Sequence, residues 1–222
     1  MPAGVDAAEA ETVVVNGVTA WRMLHRVARA RPGETIVVLG AAGGVGSTLV
    51  QLACHAGIAV IGTAGAAQQD RVRALGAEPV DYRSADVPAG VGERAPGGVA
   101  AVFDHVGRPG IADSWRMLGP GGTLVSYGTA STRDDPGNPR LPVLRLLGRL
   151  ALWNALPNGR RAHFFNLWAG RRRRPARFRQ ELRRDLGAVF ALLAVGAALR
   201  YAEAGGIAGK VVLVPRPVTP GE

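Results

Sequence analysis

The sequence predicts an α/β protein built on a doubly wound parallel sheet, with a helical, arginine-rich segment in its C-terminal third. Three observations carry this. Short β-branched runs alternate with helix-period stretches between residues 35 and 127. A glycine turn, Gly40-Ala41-Ala42-Gly43-Gly44-Val45-Gly46, separates the first such run from the helix that follows it. Beyond residue 133 the alternation stops, and leucine and arginine dominate.

Residues 1–15 are small and polar at first and read as an incoming linker; residues 16–222 read as the domain itself. Asn16 to Ala30 is predicted as a helix, with Trp21, Leu24 and Ala28 on one face and Arg22, Arg26 and Arg29 largely on another. Pro32-Gly33 ends it. Thr35 to Leu39 is the first strand, and Ser47 to Cys54 continues as a helix beyond the glycine turn. Ile58 to Gly62 is the second strand and Ala66 to Leu75 the second helix of the alternation, with Gly76 where a helix C-cap belongs. Pro79 to Tyr82 is the third strand. Pro88 to Gly98 is loop-like, with room for a short helix. Val99 to Asp104 is the fourth strand, Ile111 to Leu118 a helix, Gly119-Pro120-Gly121-Gly122 a turn, and Thr123 to Tyr127 the fifth strand. Within residues 133–200, Arg133 to Asn138 is a loop and Leu141 to Trp153 is apolar, with Arg145 and Arg149 four residues apart. Phe178 to Arg200 reads as a long helix, basic first and apolar later. Lys210 to Val214 reads as a last strand.

Composition narrows the function classes. The 222 residues are 47% hydrophobic, enough for one sizeable core. A single cysteine, Cys54, excludes an internal disulfide and a thiolate zinc cluster, and no metal site is expected. No basic-then-apolar pattern opens the chain, so a cytoplasmic location is expected. The longest apolar run, Leu186 to Leu199, is short for a membrane span and reads as a buried helix. The net charge of +10 resides mostly between Arg140 and Arg184. No nucleic-acid fold motif accompanies these arginines, so a solvated helix start and lid is expected rather than a nucleic-acid partner.

Strand, glycine turn and helix together form the opening of a dinucleotide-binding βαβ unit, although the spacing is G-x-x-G-x-x-G. Each glycine has a task there. Gly40 lets the chain turn off the strand. Gly43 lets the backbone approach a pyrophosphate. Gly46 lets the helix pack closely. The helix N-terminus then offers Gly44, Val45 and their neighbours to the phosphates. The second strand ends in Ile61-Gly62-Thr63-Ala64-Gly65, with no acid to bind a ribose 2′-hydroxyl, so NADP(H) is expected in preference to NAD(H).

Val18-Thr19-Ala20-Trp21, Arg31-Pro32-Gly33-Glu34, the glycine turn, Ala74-Leu75-Gly76-Ala77, Asp81-Tyr82-Arg83, Val102 to Gly107, Leu118 to Gly122 and Gly209 to Leu213 occur in the order of a known family. The sequence resembles the medium-chain dehydrogenase/reductase superfamily, and within it the zinc-independent quinone oxidoreductase and enoyl reductase branch. The resemblance implies a Rossmann-type domain and a nicotinamide cofactor. It also implies a preceding GroES-like substrate domain, whose place here is taken by the start of the chain. A further strand and helix, usual in the family, are expected to be missing near residues 201–208. A homodimer, or a partner chain carrying the missing domain, is therefore expected.

The resemblance also assigns roles. In NADP-using relatives a lysine near position 69 and a tyrosine on the third strand hold the 2′-phosphate. Tyr82 matches the tyrosine, and Gln69 stands in place of the lysine, with Arg71 or Arg73 as substitutes and Gly65 at the strand end. Thr19 matches a position that approaches the nicotinamide, or else caps a helix. Val106 and Gly107 would line the cofactor, and Tyr127 and Gly128 would lie near its ring. Tyr127 either donates a proton or packs, and His105 either acts as an acid or base or serves a structural role. Trp153, Phe164, Phe165 and Trp168 would form a pocket lid or a pairing surface. The implied activity is hydride transfer from NADPH to a quinone or an α,β-unsaturated carbonyl. The competing reading is a non-redox nucleotide-binding or scaffold module.

Overall fold

The computed structural model describes residues 13–83, 86–107, 110–128, 140–169 and 171–192. Six strands form one sheet in the order β3-β2-β1-β4-β5-β6, and every neighbouring pair is parallel. The strands are β1 (Thr35–Val38), β2 (Ala59–Ala64), β3 (Glu78–Asp81), β4 (Val99–Asp104), β5 (Leu118–Ser126) and β6 (Arg161–Phe164). The helices are α1 (residues 13–28), α2 (Gly44–His55), α3 (Gln69–Ala74), α4 (Val87–Arg94), α5 (Ile111–Arg116), α6 (Arg140–Asn154) and α7 (Pro175–Leu192). The chain winds outward from β1 in both directions, and this gives the Rossmann order with its switch point between β1 and β4.

Alternation along the strands divides the core in two. Ile36 and Val38 face one side, with Met23 and Leu24 of α1 and Leu49, Val50 and Leu52 of α2. Val37 faces the other, with Val102, Leu124, Val91 of α4, Ile111 of α5, and Leu146 and Leu150 of α6. Both faces are covered, as a parallel sheet requires.

Several elements depart from the sequence expectation. The first helix begins at Val13, within the expected linker, and its central Val18–Trp21 turn lies between wider π-type turns. Val13-Val14-Val15 has low helix propensity, and packing of α1 on α2 overrides it. Arg29 then ends α1 in a left-handed conformation, φ 56°. The loop-like stretch after residue 86 is α4, whose N-cap Asp86 accepts a hydrogen bond from Ala89 N. The predicted turn at 119–122 belongs to β5. Leu118 pairs with Val99 and Thr123 with Ala101, so the glycines bulge outward without ending the strand.

Strand β6 was not expected at all. Its pattern has only Ala162 buried, the signature of a short edge strand rather than a core one. Trp153 is no lid: its ring stacks on Trp115 at 4.9 Å and 5°, which fastens α6 to α5. Phe165 packs against the core, whereas Phe164 and Trp168 are exposed. The predicted strand at 210–214, the gap at 201–208 and the end of the long helix lie outside the described residues.

Candidate functional site

The glycine turn leaves β1 at the C-terminal rim of the sheet. Gly40 has φ +67°, a left-handed value, and a Cβ there would overlap the His105 ring. Thr63, buried at the end of β2, holds the turn from the side. Its Oγ1 accepts from Gly40 N at 3.0 Å, and its carbonyl accepts from Ala41 N at 2.9 Å. Gly43 is the N-cap of α2, with extended backbone, and Ser47 N donates to its carbonyl at 2.7 Å. The N–H groups of Gly44, Val45 and Gly46 precede that first intrahelical bond and have no acceptor within the helix.

The three expected glycine tasks separate cleanly. A Cβ at Gly43 would meet only the Gly40 carbonyl oxygen, a tight contact at 3.3 Å that a small shift relieves. A Cβ at Gly46 would overlap the same oxygen, so Gly46 is needed for the helix to approach the turn. Gly44 is close-packed too: a Cβ would lie 2.7 Å from Asn16 Nδ2 on α1.

A second loop follows β4. Asp104 is fully buried and accepts from Val106 N, Gly107 N and Ser114 Oγ, each at 2.8 Å. Burial pushes its carboxyl above the ordinary aspartate range, and these three donors oppose that shift. His105 Nδ1 lies 3.0 Å from the Leu39 carbonyl oxygen, which can only accept. Nδ1 therefore carries a proton and donates to that carbonyl. Tyr127 is anchored by its N–H to the Asp104 carbonyl at 2.9 Å, and its ring lies 5.9 Å from that of His105. Burial, then the Asp104 charge, push its phenol well above the usual tyrosine value. A Cβ at Gly128 would lie 2.6 Å from the His105 carbonyl oxygen, so a glycine lets these two strand ends meet.

A cleft of about 910 Å³ runs along this rim, lined by Gly40, Thr63, Tyr82, His105, Val106 and Gly107 among others. It lies at the switch point, where open parallel sheets bind ligands. Its far end is the end of β2. There Tyr82, 51% exposed, brings its Oη to 3.8 Å from where a Cβ on Gly65 would be, and Arg83 Cζ comes to 3.9 Å. The Arg83 guanidinium lies over the Tyr82 ring at 5.5 Å. Gln69 opens α3 nearby. Arg73 is committed to Asp70 at 2.6 Å, and Arg71 is half-buried with a partner of its own. The cation at the strand end is thus Arg83, whose motif the sequence displayed without showing which way the side chain turns.

Thr19 is 7% exposed in the middle of α1, so it caps no helix end. Among the described residues no group of three or more His, Cys, Asp or Glu is placed to hold a metal ion. Cys54 lies 3.5 Å from the Gly76 carbonyl, and burial pushes its thiol up. Among the described residues no helix is long and apolar enough to cross a membrane.

Residues 44–155 match the family model described as zinc-binding dehydrogenase. The chain belongs to the medium-chain dehydrogenase/reductase superfamily. A quinone oxidoreductase of Pseudomonas aeruginosa is 37% identical over 134 residues, 59% of this chain and 41% of that protein. A 2-haloacrylate reductase of a Burkholderia species is 29% identical over 221 residues, 92% of this chain and 62% of that protein. The solved structure of Escherichia coli quinone oxidoreductase complexed with NADPH matches with TM-score 0.71 and 27% identity, over 88% of this chain and 56% of that one. The chain therefore spans about half the length of these superfamily members.

Proposed function

We propose that this chain is the NADPH-binding half of an oxidoreductase that delivers hydride to a quinone or an α,β-unsaturated carbonyl without zinc. The observation that carries the cofactor choice is the pairing of Tyr82 and Arg83 against Gly65. An NAD-preferring site would have a carboxylate at that strand end, and a guanidinium there suits a phosphate. The E. coli relative solved with NADPH supports the same choice.

When bound, the nicotinamide supplies the hydride. The residues of this chain orient it. The N–H groups of Gly44, Val45 and Gly46 receive the pyrophosphate at the positive end of α2. Val106-Gly107, held by Asp104, and Tyr127-Gly128 line the nicotinamide half, with Thr19 across from them on α1. Tyr127 stays protonated and is available as a hydrogen-bond donor. His105, tied to Leu39, fills the space beside Gly40 where β1 turns off the sheet. Both are positioning residues in this reading.

Fluorescence titration tests the cofactor choice. NADPH is expected to bind about tenfold or more tighter than NADH, the scale of one charge-assisted contact. Arg83→Gln is expected to remove most of that preference and leave NADH affinity unchanged. Equal affinities in the natural chain would overturn the reading. The competing reading is a nucleotide-binding module without redox activity. Oxidation of NADPH in the presence of benzoquinone separates the two.

A further inference from the structure

The same rim carries a second concavity. Strand β6 pairs with β5 through Ser126 and Phe164, and Phe165 N donates to the Ser126 carbonyl at 2.7 Å. The chain thus leaves β6 beside the point where Tyr127 and Gly128 leave β5. Leu167 then turns in and packs on Val18, the neighbour of Thr19. The next residue, Trp168, is 47% exposed. With Arg171, Arg172 and Arg173 it lines a cleft of about 550 Å³. The Arg171 guanidinium lies over the indole at 5.6 Å, and Phe178 backs the indole at 6.1 Å.

The charge there is unbalanced. Residues 160–184 carry ten arginines and one carboxylate, Glu181. Arg177 holds Glu181 at 2.8 Å and keeps its carboxyl below the usual range. Asp185 is buried in its pairing with Arg22 and Arg26. Among the described residues, Arg171, Arg172 and Arg173 form no ion pair. Like charges crowded beside an exposed aromatic face suit one kind of guest: a planar or apolar body bearing an anion. The indole face takes the body, and guanidinium forks take a carboxylate or phosphate.

We infer that Trp168 with Arg171, Arg172 and Arg173 is the anion-holding end of the acceptor site, and that the acceptor is an α,β-unsaturated carbonyl carrying a carboxylate or phosphate. This rests on the cofactor reading above, because Trp168 follows four residues after Phe164, which pairs with Ser126 at the strand end assigned to the nicotinamide half. A nucleic-acid track would present successive aromatic platforms along a basic groove. Here a single indole and three arginines line one short, open cleft.

Calorimetric titration of the whole chain, with and without saturating NADP+, decides it. The probes are trans-cinnamate, phenyl phosphate, neutral cinnamamide and a single-stranded oligonucleotide. Cinnamate or phenyl phosphate is expected to bind at least about tenfold tighter than cinnamamide. The tighter of the two anions identifies the acceptor's charged group. Arg172→Gln with Arg173→Gln, both exposed, is expected to abolish the preference and leave NADP+ affinity unchanged. Trp168→Phe is expected to weaken cinnamate and cinnamamide alike. Equal affinity for cinnamate and cinnamamide, or a preference that survives the double substitution, overturns the inference. So does an oligonucleotide that binds through these arginines more tightly than either small anion. Failure of NADP+ to bind overturns the cofactor reading instead and is read from its own titration.

Discussion

Gly43 and Gly46 are three residues apart in one turn, yet their substitution tests different things. A Cβ at Gly43 needs only a small shift, so Gly43→Val is expected to abolish cofactor binding while the melting temperature stays near that of the natural chain. Gly46 faces the Gly40 carbonyl oxygen. Gly46→Ala is expected to cost about 1–3 kcal/mol of stability, the scale of overpacking, and denaturant titration reads it. Asp104 offers a second test. Val106 N and Gly107 N both donate to its Oδ1, while Ser114 Oγ donates to Oδ2. An asparagine can accept the first two and donate to the third, so Asp104→Asn is expected to keep the loop. Asp104→Ala leaves buried donors unpaired and is expected to cost about 2 kcal/mol or more. The pH dependence has a definite sign. The native carboxyl holds its proton more tightly than an unfolded one. Its contribution is full below the ordinary aspartate value, near 4, and is lost as pH rises through the raised native value. Thermal melts of Asp104→Asn are therefore expected to gain on the natural chain as pH rises through that window. Gly40, Gly43 and Gly46 were legible in the sequence because glycine spacing encodes backbone geometry directly. Thr63 and Arg83 were not, because a lone hydroxyl in a strand and one arginine among many carry no pattern.

At the scale of elements, α7 is joined to α1 by a buried charge. Asp185 is fully buried and pairs with both Arg22 and Arg26, while Leu182 and Leu186 pack near Val18 and Trp21. Removing one partner from such a cluster leaves the others desolvated and unpaired. Asp185→Ala is expected to cost about 3–5 kcal/mol, measured as a lower urea midpoint. The loss would also reposition Trp168, whose indole rests on Phe178 of α7. Strands β1 and β4 were plain in the sequence, since buried parallel strands are continuous β-branched runs. Strand β6 was not, because three of its four residues face solvent. The helical start at Val13 was hidden for the opposite reason: Val13-Val14-Val15 has strand propensity, and the packing of α1 on α2 overrides it.

The sheet of the whole molecule ends in two outer strands, β3 and β6, and the fold partly closes the β6 edge. Asn154 at the end of α6 donates to the Ala162 carbonyl and accepts from Ala162 N, both at 2.8 Å. A side-chain amide thus stands where a seventh strand would pair. Exposed Leu144, Leu147 and Leu152 on α6 remain. A homodimer is expected, and light scattering measures its mass; a monomer at every concentration removes that expectation. Asn154→Ala frees both backbone groups of Ala162 and is expected to shift the mass upward. By itself the sequence determined the alternation of strands and helices, the glycine turn and the membership of a nicotinamide-binding superfamily, because these are written in residues close together along the chain. Only the tertiary structure decided that Arg83 meets Tyr82 at the end of β2, that His105 plugs against Gly40, and that the arginine run gathers around Trp168. Those meetings join residues far apart in sequence, and which of many similar side chains meet is settled by how strands stack and helices pack, which no local pattern records.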